Sequence, residues 1–146
     1  MKWKILAVGK PKLPFIAAGI EEYTKRILRF THLETVYIPT DSPNHENAEF
    51  IKKSADSFKI VLDERGKQLT SRQLSDLIQK WEINSVRNVS VMIGGPDGHR
   101  EEIRQIADLT LSLSQMTLQH ETALLIALEQ IYRAYTILAG LPYHRD

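Results

Sequence analysis

The sequence predicts an α/β protein in which a mostly parallel sheet carries helices on both faces. Three observations predict it. Short β-type runs alternate with helix-periodic stretches along all 146 residues, and parallel neighbours need helical crossovers between them. No internal repeat or linker interrupts that alternation, and a chain of this length can bury one core unaided, so residues 1–146 are expected to form a single domain. The composition, 42% apolar and 25% charged, lies near the globular average and excludes collagen-like and disordered classes.

Each element follows from its own pattern. Trp3 to Val8 is a β-type run closed by Gly9, Lys10 and Pro11. Ile16, Ile20, Tyr23, Ile27 and Phe30 recur in steps of four and three, which is helical. Leu33 to Ile38 alternates as a strand, and Pro39 to His45, with two prolines, reads as a loop and the segment expected to move most. Glu46 to Ser57 is a short polar helix, and Phe58 to Leu62 a strand that stops at Asp63-Glu64-Arg65-Gly66. Thr70 with Gln73 three residues on fits a capping box, and Leu74, Leu77, Ile78 and Trp81 form the buried stripe behind it. Val89 to Ile93 is an apolar strand entering Gly94-Gly95-Pro96-Asp97-Gly98, followed by a helix with Ile103, Ile106 and Ala107 and a strand at Leu109 to Leu113. The last helix, His120 to Ala139, stops at Gly140 with Pro142 beyond. Apolar residues surround that helix on nearly every side, which predicts packing against both its own sheet and a second subunit, hence a homodimer.

Composition narrows the chemistry. Nineteen basic against eighteen acidic residues give a formal charge of +1, so binding RNA through a broad basic field is disfavoured and any RNA contact is local. No cysteine is present, which removes disulfides, thiolate nucleophiles and cysteine-based metal sites. The longest apolar run, Ala123 to Leu128, is far below the roughly 20 residues of a membrane span, and Ile5 to Val8 is too short for a signal peptide. A cytoplasmic location without membrane attachment is expected.

Motif tests exclude more than they admit. The glycines at 94, 95 and 98 lack the dinucleotide order, and Val61 stands where a phosphate loop needs glycine. His120-Glu121 begins a zinc signature, but Leu124 occupies the second ligand position, and no serine elbow exists. No metal is expected. In α/β sheets ligands bind beyond the carboxyl ends of the strands, and three such ends stand out: Leu62 to Lys67, Gly94 to Gly98 and Leu113 to Leu118. The glycine cluster would let bare backbone approach a flat ligand, though by itself the spacing favours an ordinary turn. Asp63 and Glu64 read more readily as a solvated turn than as paired carboxylates. The tail Tyr143-His144-Arg145 offers a stacking ring, an imidazole and an anion fork, or else a frayed terminus.

Taken together, Leu62-Asp63-Glu64-Arg65-Gly66-Lys67, Ile93 to Gly98, Leu111 to Thr117, His120, Glu129 to Ala134 and Pro142-Tyr143-His144 closely resemble the ribosomal RNA large subunit methyltransferase H family of SPOUT-class enzymes. The likeness runs the full chain in the family's order. It implies a C-terminal trefoil knot, which no sequence rule predicts, S-adenosylmethionine as methyl donor, an obligate homodimer, and N3-methylation of a pseudouridine in 23S ribosomal RNA on the assembled ribosome. By position it implies cofactor contacts from Leu62, Gly94, Gly95, Leu113, Ser114, Gln115, Met116, Thr117 and Leu118. It further implies that Tyr143, His144 and Arg145 reach the target base across the dimer interface. The family pattern usually has arginine four residues after the histidine, where this chain has Leu124.

The expected mechanism needs a base for the imide proton. His144 fits that role, with Arg133 or Arg145 binding phosphate or developing charge and Tyr143 stacking on the base. A non-catalytic ribosome-associated dimer of the same fold is the rival reading. A small nucleotide hydrolase on a flavodoxin-like sheet is disfavoured, because neither a phosphate loop nor a water-activating constellation is found.

Overall fold

The structure is a computed structural model that describes residues 1–146. Five strands alternate with five helices in chain order: β1 (Lys2–Val8), α1 (Pro14–Ile27), β2 (His32–Ile38), α2 (Pro43–Lys53), β3 (Phe58–Gln68), α3 (Ser71–Ile83), β4 (Asn88–Ile93), α4 (Glu101–Ile106), β5 (Leu109–Ser112) and α5 (His120–Leu138). The strands form one sheet in the order β2-β1-β4-β3-β5, and every pairing is parallel. The predicted sheet with helices on both faces is therefore present.

Strand alternation sorts the core into two layers. Trp3, Ile5 and Ala7 of β1 and Val89, Val91 and Ile93 of β4 face α1, α3 and α5 in a cluster of 21 buried residues. Leu6, Val8, Ile38, Val61 and Met92 face the other way, against Phe50 of α2 and Ile103 of α4, in a cluster of seven. Burying one such side chain contributes roughly 1.5–3 kcal/mol, so the three-helix face holds most of the apolar stabilisation. Trp3 Nε1 donates to the Tyr135 hydroxyl at 2.9 Å, joining β1 to α5 inside that layer.

Several boundaries differ from the sequence reading for local reasons. Helix α2 begins at Pro43, within the expected loop, because Ser42 caps it by accepting from the His45 amide and proline suits the first helical position. It ends before Ser57, where Asp56 adopts φ 58° and the Ser57 hydroxyl donates to the Ser54 carbonyl at 2.6 Å. Helix α1 stops short of Phe30, whose ring stacks on Tyr135 at 5.9 Å from beyond the helix end. Strand β3 continues past its expected stop at Leu62 to Gln68.

The apolar ring of α5 is largely covered within the chain. The helix packs between α1 and α3, so Leu124, Ala127, Leu128, Ile131, Ala134 and Tyr135 are buried by its own neighbours. The rest of the helix is half-buried, including Ile126, Glu129, Arg133 and Ile137. A helix lying alone on a sheet keeps a wet face; one seated between two others does not.

Helix α1 has no side-chain cap of its own. Its acceptors come from α5: Glu121, buried to 5% exposure, takes the Lys12 amide at 2.7 Å and the Leu13 amide at 3.2 Å. Replacing Glu121 with alanine orphans both amides and removes a charged acceptor, so a loss of about 3 kcal/mol is expected. Urea unfolding at fixed protein concentration checks it; a loss below about 1 kcal/mol would show that water replaces the carboxylate.

Candidate active site: a cleft beyond the strand ends

Three backbone irregularities build a cleft at the carboxyl end of the sheet. The first is in β3, where pairing with β5 jumps from Leu62 to Lys67 opposite the same Leu111, so Asp63 to Gly66 bulge out of register. Gly66 permits this, since a Cβ there would lie 2.6 Å from the Thr110 carbonyl oxygen. The second is the turn after β4, closed by the Gly98 amide donating to the Gly95 carbonyl at 2.9 Å. Gly98 has φ +75°, and a Cβ on Gly94 would meet the Gly98 carbonyl carbon at 2.8 Å. The third is the loop from Leu113 to Gln119. The Ser112 hydroxyl donates to the Ser114 carbonyl at 2.9 Å, the Ser114 hydroxyl accepts from the Met116 amide at 3.0 Å, and Gln119 caps α5.

These walls enclose about 590 Å³, a volume usual for a small-molecule site. Of the residues singled out for cofactor contact, Leu62, Gly94, Gly95, Leu113, Ser114, Met116, Thr117 and Leu118 line it. Gln115 is exposed and does not line it. Asp63, Glu64, Arg65, His99 and His120 line it as well; the first three lie in a strand end marked from the sequence and His120 in the family motif, though none is singled out there for cofactor contact. The only available signal was position, because Asp63 to Arg65 lie between an apolar strand and a glycine.

The electrostatics are specific. Asp63, with a side chain only 8% exposed, accepts from Arg65 Nε at 3.0 Å, Arg65 Nη2 at 2.9 Å and the Arg65 amide at 2.9 Å. Its carboxyl is held down at about 2, chiefly by the Arg65 hydrogen bonds, with Arg104 adding attraction. His99 is pushed toward its neutral form by burial and meets the Met92 carbonyl through Nε2 at 2.9 Å. Neutral His99 thus donates there, and Arg104 donates to its carbonyl, tying the turn after β4 to α4.

A pH dependence follows from Asp63. Its folded pKa lies below the ordinary 3.8, so its ion pairs stabilise the fold above pH 4 and that contribution fades as pH falls from about 4 to about 2. Asp63→Asn should therefore be less stable than wild type at pH 7, with the gap narrowing toward pH 2. Thermal melts across that range check it, and a constant gap would show that the charge is not what matters.

The tail residues gather elsewhere. The Tyr143 hydroxyl donates to Glu129 Oε1 at 3.0 Å and lies 3.2 Å from the Tyr23 hydroxyl, with its ring against Tyr132 and under the Arg133 guanidinium. Burial pushes the Tyr143 phenol up, with Tyr23 and Glu129 adding to the effect. His144 Nδ1 faces Arg133 Nη1 at 3.1 Å and its Nε2 faces Asp146 Oδ1 at 2.8 Å, while Asp146 is also forked by Arg72. Arg133 pairs with Glu129, and Arg145 is exposed and makes no ion pair. From His120 at the cleft to Arg133 is about 20 Å along α5 at 1.5 Å per residue. Cofactor candidates form one group and catalytic candidates a second; one chain does not join them.

Leu124, where the family pattern usually has arginine, is 2% exposed within the main core. It packs; it does not reach outward. No cluster of three His, Asp or Glu side chains suited to a metal occurs, and no helix is long and apolar enough to cross a membrane.

The family described as Predicted SPOUT methyltransferase matches residues 1–144. A tRNA (m1G37) methyltransferase from Aquifex aeolicus shares the fold, with TM-score 0.56 and 15% identity over 99% of this chain and 74% of that one. A Legionella pneumophila protein assigned as a methyltransferase, solved with bound cofactor SAM, gives TM-score 0.50 and 15% identity over 92% and 66%. The family match over residues 1–144 makes this chain a SPOUT methyltransferase, with a fold the two structures share. Ribosomal RNA large subunit methyltransferase H of Thermus thermophilus is 42% identical over 99% of both chains, and that of Deinococcus radiodurans 37% identical over the same shares. This chain belongs to the ribosomal RNA large subunit methyltransferase H family.

Proposed function

We propose that this protein transfers a methyl group from S-adenosylmethionine to N3 of a pseudouridine in 23S ribosomal RNA on the assembled ribosome, working as a cytoplasmic homodimer. The observation that carries the reading is full-length identity of 42% to a ribosomal RNA large subunit methyltransferase H, joined to a cleft lined by the positions the family pattern marks. The donor set fits the cofactor. Leu62, Ile93, Leu113 and Leu118 offer apolar surface to an adenine, and the bare backbone at Gly94 and Gly95 offers amides and carbonyls to its edge. When bound, the cofactor supplies a methyl group already activated on a sulfonium.

The protein's own contribution is alignment, worth roughly 7–11 kcal/mol in favourable cases, and proton removal. His144 takes the N3 proton, and Arg133 or Arg145 holds phosphate or developing negative charge. Within one chain both ring nitrogens of His144 already have partners. A second protomer presenting its tail to this cleft would bring the two groups of residues together, which supports the dimer. We infer too, from the family resemblance, that the C-terminal segment threads into a trefoil knot.

The test is transfer of labelled methyl from S-adenosylmethionine to ribosomes lacking their own modification, followed by nucleoside mass analysis. One 3-methylpseudouridine per large subunit is the expected product. Label on another nucleoside would overturn the acceptor, and cofactor binding without transfer would favour the non-catalytic dimer.

A further inference from the structure

Charges around the cleft do not cancel. Asp63 is compensated by the Arg65 fork and by Arg104 at 3.9 Å, and His99 is kept toward neutrality by burial. Two lining carboxylates remain without an ion pair, Glu64 and Asp97. Glu64 is the better placed. It stands on the β3 bulge and accepts a hydrogen bond from the Thr117 hydroxyl on the facing loop, so its carboxylate bridges two walls of the cleft. The neutral hydroxyl orients that carboxylate, whose charge is met by the Coulombic pull of Arg65, a cation that Asp63 already holds in a fork.

We propose that Glu64 is a specificity-determining residue that favours the sulfonium donor over the demethylated product. This rests on S-adenosylmethionine being the cofactor. In the transfer the carbon–sulfur bond breaks, its electron pair stays on sulfur, the nitrogen–carbon bond forms, and the N3 proton leaves to a base. The donor therefore changes from a net charge of +1 to a neutral zwitterionic thioether. A carboxylate at the rim attracts the first and gains nothing from the second, so it aids capture of donor and escape of product. The interaction is that of an exposed charge, so an effect of about three- to fivefold is expected, shrinking with salt.

Calorimetric titration of the full-length protein with S-adenosylmethionine and with S-adenosylhomocysteine tests this in wild type, Glu64→Gln and Thr117→Val. Glu64→Gln should weaken the donor about three- to fivefold at low salt while leaving the product within about 1.5-fold, and the donor difference should narrow in about 0.5 M salt. Thr117→Val keeps the charge and should preserve most of the donor-to-product ratio. Equal weakening of both ligands by Glu64→Gln would mean that the residue only fastens the loop, and would overturn the assignment. So would no change, or the same collapse of the ratio in Thr117→Val. Wild type binding neither ligand would overturn the cofactor reading and this inference with it, an outcome distinct from the others because it appears before any substitution.

Discussion

Replacing His144 with alanine is expected to lower methyl transfer by about 10² or more while leaving S-adenosylmethionine affinity within about twofold. The two halves of this expectation rest on separate observations. The imidazole is held by Arg133 on one nitrogen and Asp146 on the other, so it is oriented more tightly than a frayed terminus would be. None of Tyr143, His144 or Arg145 lines the cleft of its own chain, so cofactor contacts within the chain survive the change. Single-turnover transfer on unmodified ribosomes measures the first quantity and calorimetry the second. Wild-type transfer by the variant would remove His144 from the role of base. Asp146→Asn is an instructive companion, since it loosens both the imidazole and the Arg72 fork without deleting the ring.

Gly94→Ala should weaken cofactor binding at least tenfold while the sheet stays folded. The new Cβ would lie 2.8 Å from the Gly98 carbonyl carbon, 3.0 Å from the His99 nitrogen and 3.1 Å from the Gly98 Cα. All three are backbone atoms, so no side chain can swing aside and the turn itself must open. Overpacking of this kind costs about 1–3 kcal/mol, small enough for a core of this size to survive. The displaced turn carries Gly95 to Gly98, one wall of the cleft. Gly95→Ala is the control: its Cβ meets only Val8 side-chain atoms, the nearest at 3.6 Å, so the turn should keep its shape. Calorimetry with circular dichroism separates the outcomes, and undiminished affinity in the Gly94 variant would show that the turn is not a cofactor wall.

Both predictions turn on residues whose roles were unequally legible. The strand-end rule marked the three segments Leu62 to Lys67, Gly94 to Gly98 and Leu113 to Leu118, and the family resemblance picked out Leu62, Gly94, Gly95 and Leu113 to Leu118 within them as cofactor contacts. Neither picked out Asp63 to Arg65 individually. Read along the chain, a charged trio before a glycine is a solvated turn; only the register jump opposite Leu111 turns it into a wall. Gln115 is the converse case, since a contiguous loop was marked whole and this one of its residues does not line the cleft. Glu121 was taken for part of a failed zinc signature, and its partners, the amides of Lys12 and Leu13, lie more than a hundred residues away.

The sequence by itself determined the class of fold and the alternation of elements, because hydrophobic period, capping residues and glycine stops act over a few neighbours. It placed α3 through its capping box and set the end of α5 at Gly140 within a residue or two. Only the tertiary structure decided that α5 is seated between α1 and α3, that β3 runs on past a bulge, and that the tail gathers around Arg133 apart from the cleft. Those outcomes depend on contacts between segments far apart in the chain, and no local pattern encodes which distant backbone a carboxylate, a ring or a missing Cβ will meet.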